Sequence, residues 1–254
     1  MAHESELALE AWRLHREASA SEPHVRVTPK SAPILFFGDV EAYRRSQLRV
    51  VTVGVNPSGE EFPVKTPWSR LPLENLAGGH LEAEHMPIYL NVLNDYFRRN
   101  PYDKWFKRSY EPVLNGMGTS YYDHAEATAI HTDVCTPIPT TPAWGQLTPE
   151  ERRFLAPYGV ALWHRLVADL EPHVILASIS ARHFARISLP ALSEPEVIYT
   201  VEQVRPCRIV AHRVRCGSTH SLLIHGAAAT TPFQMIKDSQ KRAVGAVVHG
   251  LVNG

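Results

Sequence analysis

The chain has 254 residues, and its 26 basic and 26 acidic residues give a formal net charge of zero. This balance argues against a surface coated in basic charge, and without a run of about 18 apolar residues no membrane-spanning helix is predicted. The acidic N-terminal segment lacks the apolar core of a signal peptide, so we expect a cytoplasmic protein with no membrane partner. We also expect a monomer, with an N-terminal helix and linker over residues 1–31 and a single α/β domain over residues 32–254.

The cysteines and histidines bear on whether the protein contains disulfides, an iron–sulfur cluster or a metal site. Cys135, Cys207 and Cys216 are too few and too scattered for a disulfide framework, and they cannot supply the four thiolates of an iron–sulfur cluster. We therefore expect buried or free cysteines. The 14 histidines include no HExxH motif or comparable pair of ligands, which disfavours a metal hydrolase. We expect no cofactor and no metal ion.

The first part of the chain leads into one well-marked strand. Residues 4–18 have the spacing of an amphipathic helix, and the polar, proline-containing residues 19–31 indicate a linker. A short apolar segment follows at 33–39. Residues 48–59 then combine a run of β-branched residues, which predicts a buried strand, with an abrupt turn. The turn has the sequence Gly54-Val55-Asn56-Pro57-Ser58.

The middle of the chain alternates between loop, helix and strand. Residues 60–79 carry three prolines and few periodic apolar positions, which predicts a long loop of the kind that is often functional. Residues 87–99 have helical spacing, and residues 127–133 predict a second buried strand that ends at Asp133. An aromatic and basic patch lies between them, comprising Tyr102, Lys104, Trp105, Phe106, Lys107, Arg108 and Tyr110.

A long helix begins near residue 148. Thr148 suits the N-cap, Pro149 the first helical position, and Glu151 completes a capping box. We expect this helix to reach about Leu170, because Pro172 cannot continue it. Further strands, of which the second and third form a hairpin-like extension, are predicted at 173–178, 197–201, 208–215 and 221–225.

Strands that alternate with helices favour a three-layer α/β/α fold with a central, mainly parallel four-stranded sheet. Three polar residues stand at the ends of predicted strands, namely Asn56, Asp133 and His225. Each alone is weak evidence, because Asn and Asp commonly form turns or caps and His is often a satisfied structural residue. Their shared position at the carboxyl ends of strands, where such sheets meet ligands, makes them candidates for one site.

The C-terminal third is locally basic. Its seven lysines and arginines between residues 205 and 242 accompany one acid, Asp238. Such a segment could contact a polyanion, and a solvated basic face without a partner is the alternative. The basic residues are Arg205, Arg208, Arg213, Arg215, Lys237, Lys241 and Arg242.

Short motifs surround the three strand ends. The turn at residues 54–58 contains Gly-X-Asn-Pro, Phe62 follows it, and His225-Gly226 ends the last predicted strand. These features resemble the two active-site motifs and the base-stacking aromatic residue of the uracil-DNA glycosylase superfamily, in particular its mismatch-specific, thymine-specific and single-strand-selective branches. The resemblance spans residues 50–231. It implies that family's fold and hydrolysis of the N-glycosidic bond of a base flipped out of DNA.

The resemblance also implies a role for each motif residue. Asn56 would position the attacking water, and His225 would donate to the base oxygen on which negative charge develops. Phe62 would stack on the base. The base pocket is expected to include Gly54, Val55 and Pro57. Contacts to duplex or single-stranded DNA are expected at Ser58, Gly226, Ala227, Arg205, Arg208, Arg213 and Arg215.

Two departures from the family pattern point to the substrate. Uracil-specific members have an Asn where this chain has Asp133, and an ionised carboxylate only accepts hydrogen bonds. It would oppose uracil O4, whereas it would accept from the exocyclic amine of cytosine. The wedge loop has small residues, His225-Gly226-Ala227-Ala228-Ala229, where relatives have His-Pro-Ser or Asn-Pro-Ser. If the register is off by one, Thr132 or Val134 would face the base and the inference fails.

These departures favour a cytosine-type base. Because excision of ordinary cytosine from the host genome would be toxic, we expect a modified cytosine, such as the hydroxymethylated or glucosylated cytosine of some phages. Loops at 60–72 and 136–146 could frame a larger pocket for it, as in anti-phage glycosylases that the chain resembles. Two alternatives remain, a repair enzyme for uracil or deaminated bases and an inactive relative that binds nucleic acid.

Overall fold

The structure, a computed structural model, describes residues 2–21, 24–77, 82–122, 127–203, 206–226 and 231–254. Its described strands are β1 (Val50–Gly54), β2 (Thr119–Ser120), β3 (Ala127–Asp133), β4 (Val174–Ala177), β5 (Glu196–Val201), β6 (Cys207–Cys216) and β7 (Thr219–Gly226). Its described helices are α1 (Ala2–Ser19), α2 (Val40–Arg45), α3 (Glu74–Ala77), α4 (Met86–Asn94), α5 (Asp103–Phe106), α6 (Glu111–Gly116), α7 (Pro149–Leu170), α8 (Ala181–Phe184) and α9 (Asp238–Asn253).

The seven strands form one mixed sheet in the order β2-β3-β1-β4-β7-β6-β5. The pairs β1–β4, β4–β7 and β2–β3 are parallel, whereas β6 and β5 continue the sheet antiparallel to β7. The predicted α/β class with a mainly parallel sheet is therefore confirmed. The predicted count of four strands is wrong, because the four expected strands are flanked by the hairpin β5–β6 and by β2, whose two residues are too short to give a sequence signal.

The central strands have the composition of a sheet covered on both faces. All five residues of β1 and all four of β4 are buried. Strands of parallel sheets lose water on both sides, so they consist of apolar runs rather than alternating polar and apolar residues. In register, Val53 of β1 lies opposite Ala177 of β4, and Ala177 lies opposite His225 of β7.

Local signals predicted the helices well where a cap was present. Before α7, the Thr148 backbone N–H donates to Oε2 of Glu151 at 2.6 Å, and the Glu151 N–H donates to the Thr148 hydroxyl at 3.2 Å. This reciprocal pair is the predicted capping box, and the helix ends at Leu170 as expected. The helix predicted over 87–99 ends at Asn94, and a 3₁₀ turn follows at Tyr96–Arg98.

The chain divides into two compact units. The first unit comprises Met1–Gly38, Val55–Tyr102 and Thr132–Leu166, and the second unit comprises Asp39–Gly54, Asp103–His131 and Val167–Gly254. The sheet belongs to the second unit, apart from the last two residues of β3. The predicted division at residue 31 stays a prediction.

The first unit contains a contact between two helices and an ion pair in which the carboxylate is buried and the guanidinium is partly exposed. Trp12 of α1 meets Tyr89 of α4 edge to face, with ring centroids 5.7 Å apart. The Arg26 guanidinium donates to both carboxylate oxygens of Glu151, at 2.9 and 2.7 Å. These bonds are the first cause of the low pKa of Glu151, about 2, and they tie the N-terminal linker to the first turn of α7.

The second unit brings α6 and α9 close together through glycine. A Cβ on Gly245 would lie 2.1 Å from the Val113 carbonyl oxygen, and one on Gly116 would lie 2.1 Å from that of Arg242. No larger residue fits at this crossing without moving backbone. Among the described residues no helix is long and apolar enough to cross a bilayer. Cys135, Cys207 and Cys216 are free and buried, as predicted.

Candidate active site

In the first unit, the loops that follow β1 and β3 are hydrogen-bonded to each other. The Cys135 N–H donates to the Val55 carbonyl oxygen at 2.9 Å, and Ser58 forms an isolated bridge with Thr140. Gly59 permits the close approach, because a Cβ there would lie 2.3 Å from the Thr141 hydroxyl oxygen. Backbone contacts therefore join the two loops on both sides of Asn56.

Asn56 is fixed by its amide nitrogen. Nδ2 donates to the Pro57 carbonyl oxygen and to the Thr140 hydroxyl, both at 3.0 Å, and lies 3.5 Å from the Ile138 carbonyl oxygen. Because these three groups can accept, the orientation of the amide is determined. Within the described part of the chain, no donor is bonded to Oδ1. The half-buried Asn56 can thus accept a hydrogen bond from a water molecule through Oδ1.

The neighbouring motif residues mainly shape this turn. Gly54 is buried at the end of β1, and Pro57 is buried and accepts from Asn56. Ser58 is exposed, and its hydroxyl accepts from the Glu60 N–H at 3.1 Å, which caps the 3₁₀ turn Gly59–Glu61. Their predicted contacts to base and DNA stay predictions.

Asp133 ends β3 and is buried, with 8% of its surface exposed. The neighbouring Thr132 points to the other face of the strand, where its hydroxyl accepts from the indole N–H of Trp163 at 3.0 Å. Val134 is fully buried and has no polar side-chain atom. Of the three positions considered for base reading, Asp133 is thus the polar one on the face of the strand opposite the Trp163 indole.

A second buried carboxyl, Glu61, lies at the end of the 3₁₀ turn. It is 3% exposed, and its Oε2 accepts from the Tyr96 hydroxyl at 2.6 Å. The same hydroxyl oxygen accepts from the Tyr102 N–H at 2.8 Å. Arg70 holds the surrounding loops, because it donates to the carbonyl oxygens of Glu60 at 3.2 Å and Asn100 at 2.9 Å.

Burial raises the pKa of both carboxyls. The pKa of Glu61 rises to about 7, although the Tyr96 hydrogen bond and the Arg70 charge oppose the shift. The pKa of Asp133 lies well above its usual range, because the group is desolvated and the Glu61 charge adds to the effect. The two acids are therefore electrostatically linked within the first unit.

Phe62 is less accessible than its predicted role requires. Its ring is 2% exposed and meets the half-buried Trp68 edge to face, with centroids 5.6 Å apart. A flipped base would have to enter beside this pair, so stacking on Phe62 stays a prediction. Trp68 also lines a cavity of about 890 Å³ in the first unit, together with His15, Thr28, Ser31, Thr66 and Glu74, among others.

His225 belongs to the second unit, unlike Asn56, Phe62 and Asp133. Its imidazole stacks on Phe184, with centroids 3.9 Å apart, and its Nε2 lies 3.3 Å from the Ile179 carbonyl oxygen. A carbonyl oxygen only accepts, so Nε2 must donate there, which leaves Nδ1 of the neutral ring as an acceptor. Burial lowers the pKa of His225 and favours that neutral form. Donation from His225 to a base stays a prediction. It requires a proton on Nδ1 or a rotated imidazole.

The remaining predicted DNA contacts lie in the second unit or outside the described residues. Arg208, Arg213 and Arg215 are exposed on β6, but alternation along a strand places Arg213 and Arg215 on one face and Arg208 on the other. They therefore cannot form one basic row. Gly226 is constrained by packing, since a Cβ there would lie 2.5 Å from the Phe233 ring. Arg205, Ala227, Ala228 and Ala229 lie outside the described residues.

Sequence reasoning missed the roles of Glu61 and Tyr96. Glu61 stands beside the exposed Glu60 in a proline-rich stretch, where an acid is expected to be solvated. Tyr96 lies in the segment 87–99, whose spacing predicts a helix, and there an aromatic residue is expected to pack in the core. The hydrogen bond between them joins residues 35 apart in the chain, and no spacing rule connects such positions.

Comparisons with known proteins give no relative to set beside this geometry. No protein-family model matches the chain, and no curated protein matches it at a significant level.

Proposed function

We propose that this protein is a DNA glycosylase of the uracil-DNA glycosylase superfamily that acts on a modified, cytosine-type base. It would flip the base out of DNA and hydrolyse the N-glycosidic bond with water, leaving an abasic site. The reaction needs a positioned water, a group that recognises the base and contacts to phosphates. We further propose that the enzyme works as a cytoplasmic monomer.

The anchored amide of Asn56 carries the proposal. Its Nδ2 is committed to Pro57 and Thr140, so Oδ1 is held in place to accept from water. An amide is too weak a base to take the proton outright, and it is suited to orienting the water toward a sugar carbon that becomes positively charged. This arrangement supports the role that the Gly-X-Asn-Pro resemblance implies.

The choice of base is supported by Asp133. A carboxyl oxygen can accept from the exocyclic N4–H of cytosine, and such pairs discriminate against a wrong base by about 1–3 kcal/mol in groove readout. The hydrogen bond that Thr132 accepts from Trp163 supports Asp133 as the residue that recognises the base. In the family pattern this position carries an Asn when uracil is the substrate.

The proposal of a modified base is supported by space and composition. The cavity of about 890 Å³ falls within the range of roughly 300–1,000 Å³ that is typical of small-molecule sites. Two of its lining residues lie beside the Asn56 turn: Trp68 meets the Phe62 ring edge to face, and the Thr28 hydroxyl oxygen lies 3.1 Å from the position of a Cβ on Gly59. Hydroxyls, imidazoles and an indole line it, and these groups suit a polar substituent such as hydroxymethyl or a sugar.

A panel of oligonucleotides tests the proposal. Identical strands carry uracil, cytosine, 5-hydroxymethylcytosine or glucosylated 5-hydroxymethylcytosine, single-stranded or in duplex, and alkali-labile sites are scored after incubation. We expect cleavage of a modified cytosine and none of ordinary cytosine. Cleavage at uracil alone would support a repair enzyme, and binding without any cleavage would support an inactive relative. Either outcome overturns the proposal.

A further inference from the structure

Residues 226–229, the start of the predicted wedge loop, have no side chain larger than a methyl group. Flipping a base out of a duplex leaves a gap in the stack, and proteins that unstack DNA commonly insert an apolar side chain between the bases. Glycine and alanine are too small to fill that gap. A DNA glycosylase with this sequence therefore needs an apolar side chain from another part of the chain.

Val64 is the most exposed large apolar side chain among the described residues. It is 98% exposed, whereas Tyr158, the next in this ranking, is 61% exposed. Single exposed hydrophobic residues are common on protein surfaces, so exposure alone indicates no function. The place of Val64 in the fold is the more informative observation.

Val64 lies at the centre of a tight turn. The Thr66 N–H donates to the Pro63 carbonyl oxygen at 3.0 Å, which puts Val64 and Lys65 at the two central positions. Turns favour Gly, Pro, Asn, Asp and Ser, so a β-branched residue is not placed here by the needs of the backbone. Val64 and Lys65 are both exposed, and the hydrogen bond fixes the backbone that carries them.

The loop that carries this turn is closed at its base by two contacts. The Phe62 and Trp68 rings, before and after the turn in the chain, meet edge to face with centroids 5.6 Å apart. Nε of Arg70 donates to the Glu60 carbonyl oxygen at 3.2 Å. The same stretch of backbone begins at the Asn56 turn, so Val64 projects from the segment that holds the residue proposed to orient water.

The charge of the loop fits a polyanion. Residues 62–70 contain two basic residues, Lys65 and Arg70, and no acid, although the exposed Glu60 precedes them. Within the part of the chain that the structure describes, Lys65 pairs with no carboxylate. A cation beside an exposed apolar side chain can contact a phosphate while the apolar group lies between bases.

We propose that Val64 inserts into a DNA duplex at the position that the flipped base leaves, and that Lys65 contacts a neighbouring phosphate. This role rests on the proposed function and commits it to a partner, duplex DNA. Insertion stabilises the flipped state, because the apolar side chain loses its contact with water when it enters the stack. Val64 therefore affects how much of the bound DNA is flipped and leaves the bond-breaking step unchanged.

A comparison of duplex and single-stranded substrates tests this role. Val64→Ala removes two methyl groups from an exposed side chain. We expect it to lower the single-turnover excision rate on a modified-cytosine duplex by about tenfold. The rate on the same strand without its complement should stay within about twofold, since a single strand has no paired stack to fill.

Ile88→Ala is the matched control. Ile88 is a branched residue of the same unit that is 57% exposed on α4, and its truncation should leave both rates unchanged. A Val64→Ala variant that is as fast as wild type on the duplex overturns the inference. So does a loss of equal size on duplex and single strand, because it would show that Val64 shapes the base pocket or the fold.

A bulky group opposite the target base allows rescue. Pyrene in place of the opposite base fills the stack and expels the target base without help from the protein. On this duplex Val64→Ala should work within about twofold of the wild-type rate. A deficit of Val64→Ala that persists opposite pyrene overturns the inference.

Binding supplies a readout that does not depend on excision. Wild type should bind a duplex with a tetrahydrofuran abasic analogue more tightly than the intact duplex, and Val64→Ala should lose about tenfold of this preference. Lys65→Ala should lower the slope of log K against log salt by about 1. A wild-type protein that cleaves no oligonucleotide overturns the proposed function. An equal preference in wild type and Val64→Ala overturns the inference, whether or not any oligonucleotide is cleaved.

Discussion

Burial acts in the same way on the acids and bases of the two units, and an ion pair reverses its effect. Burial raises the pKa of Glu61 in the first unit and of Glu111 in the second, and it lowers the pKa of His15 in the first unit and of His131 in the second. Desolvation is the largest cause in each case, because it penalises whichever form is charged. The buried carboxylate of Glu151 in the first unit differs, because hydrogen bonds from a guanidinium lower its pKa to about 2. The presence of a partner of opposite charge, and not the unit in which a residue lies, therefore decides whether a buried group keeps its charge.

Two predicted roles depend on the protonation of buried groups. The sequence predicts that Asp133 accepts a hydrogen bond from a base and that His225 donates one. Burial raises the pKa of Asp133 and lowers that of His225, and Nε2 of His225 lies 3.3 Å from the Ile179 carbonyl oxygen. Both roles stay predictions.

The largest expected effect concerns the second unit at acid pH. Nδ1 of His131 lies 2.8 Å from the Thr52 hydroxyl, which also bonds to Tyr121, and Trp105 and Phe106 pack on the ring. Burial lowers its pKa to about 3, so the unfolded chain binds more protons below about pH 6.5 and stability falls as the pH falls. Urea unfolding should show a loss of about 3 kcal/mol between pH 6.5 and pH 4.

The His131→Phe variant supplies the control for this effect. It keeps an aromatic ring in the same cluster and removes the titration, so its stability should change much less over that range. An equally steep decline in His131→Phe would assign the acid sensitivity to other groups.

Glu61 should give the opposite slope in the first unit. Its pKa of about 7 exceeds that of the unfolded chain, so the folded state holds the extra proton and stability declines as the pH rises from about 4.5 through 7. Glu61→Gln should remove a contribution on the order of 3 kcal/mol from this decline, measured by urea unfolding at pH 5 and pH 8. Equal slopes for wild type and variant would show that Glu61 titrates normally.

Asn56→Ala tests the anchored amide. Loss of the group that orients water should reduce the single-turnover excision rate by about 10²-fold or more, with the melting temperature little changed. Asn91→Ala, on the exposed face of α4 in the same unit, is the matched control. An Asn56→Ala enzyme as fast as wild type removes this residue from the mechanism.

The two faces of β6 give the smallest predicted effect. If the face of Arg213 and Arg215 contacts phosphates, the double substitution to Ala should lower the slope of log K against log salt by about 2. Arg208→Ala, on the opposite face, should leave that slope unchanged. Equal effects of the two variants would indicate a diffuse basic surface instead of an oriented one.

The sequence was most predictive where a local signal was complete. The capping box of Thr148 and Glu151 placed the start of α7, and apolar runs placed β1, β3, β4 and β7. Interactions between distant residues gave no signal. The hydrogen bond between Trp163 and Thr132 and the effect of the Glu61 charge on the pKa of Asp133 join residues that are far apart in the chain. Periodicity contains no information about such contacts.

Specificity at Asp133 is the most direct test of the central claim, that this is an excision enzyme for cytosine-type bases. Single-turnover rates are measured for wild type and Asp133→Asn on otherwise identical oligonucleotides that carry 5-hydroxymethylcytosine, its glucosylated form or uracil. The account predicts that the wild type prefers a modified cytosine, and that Asp133→Asn shifts the ratio of the modified-cytosine rate to the uracil rate by about tenfold or more toward uracil. A wild-type enzyme that prefers uracil, or a variant with the wild-type ratio, would contradict it.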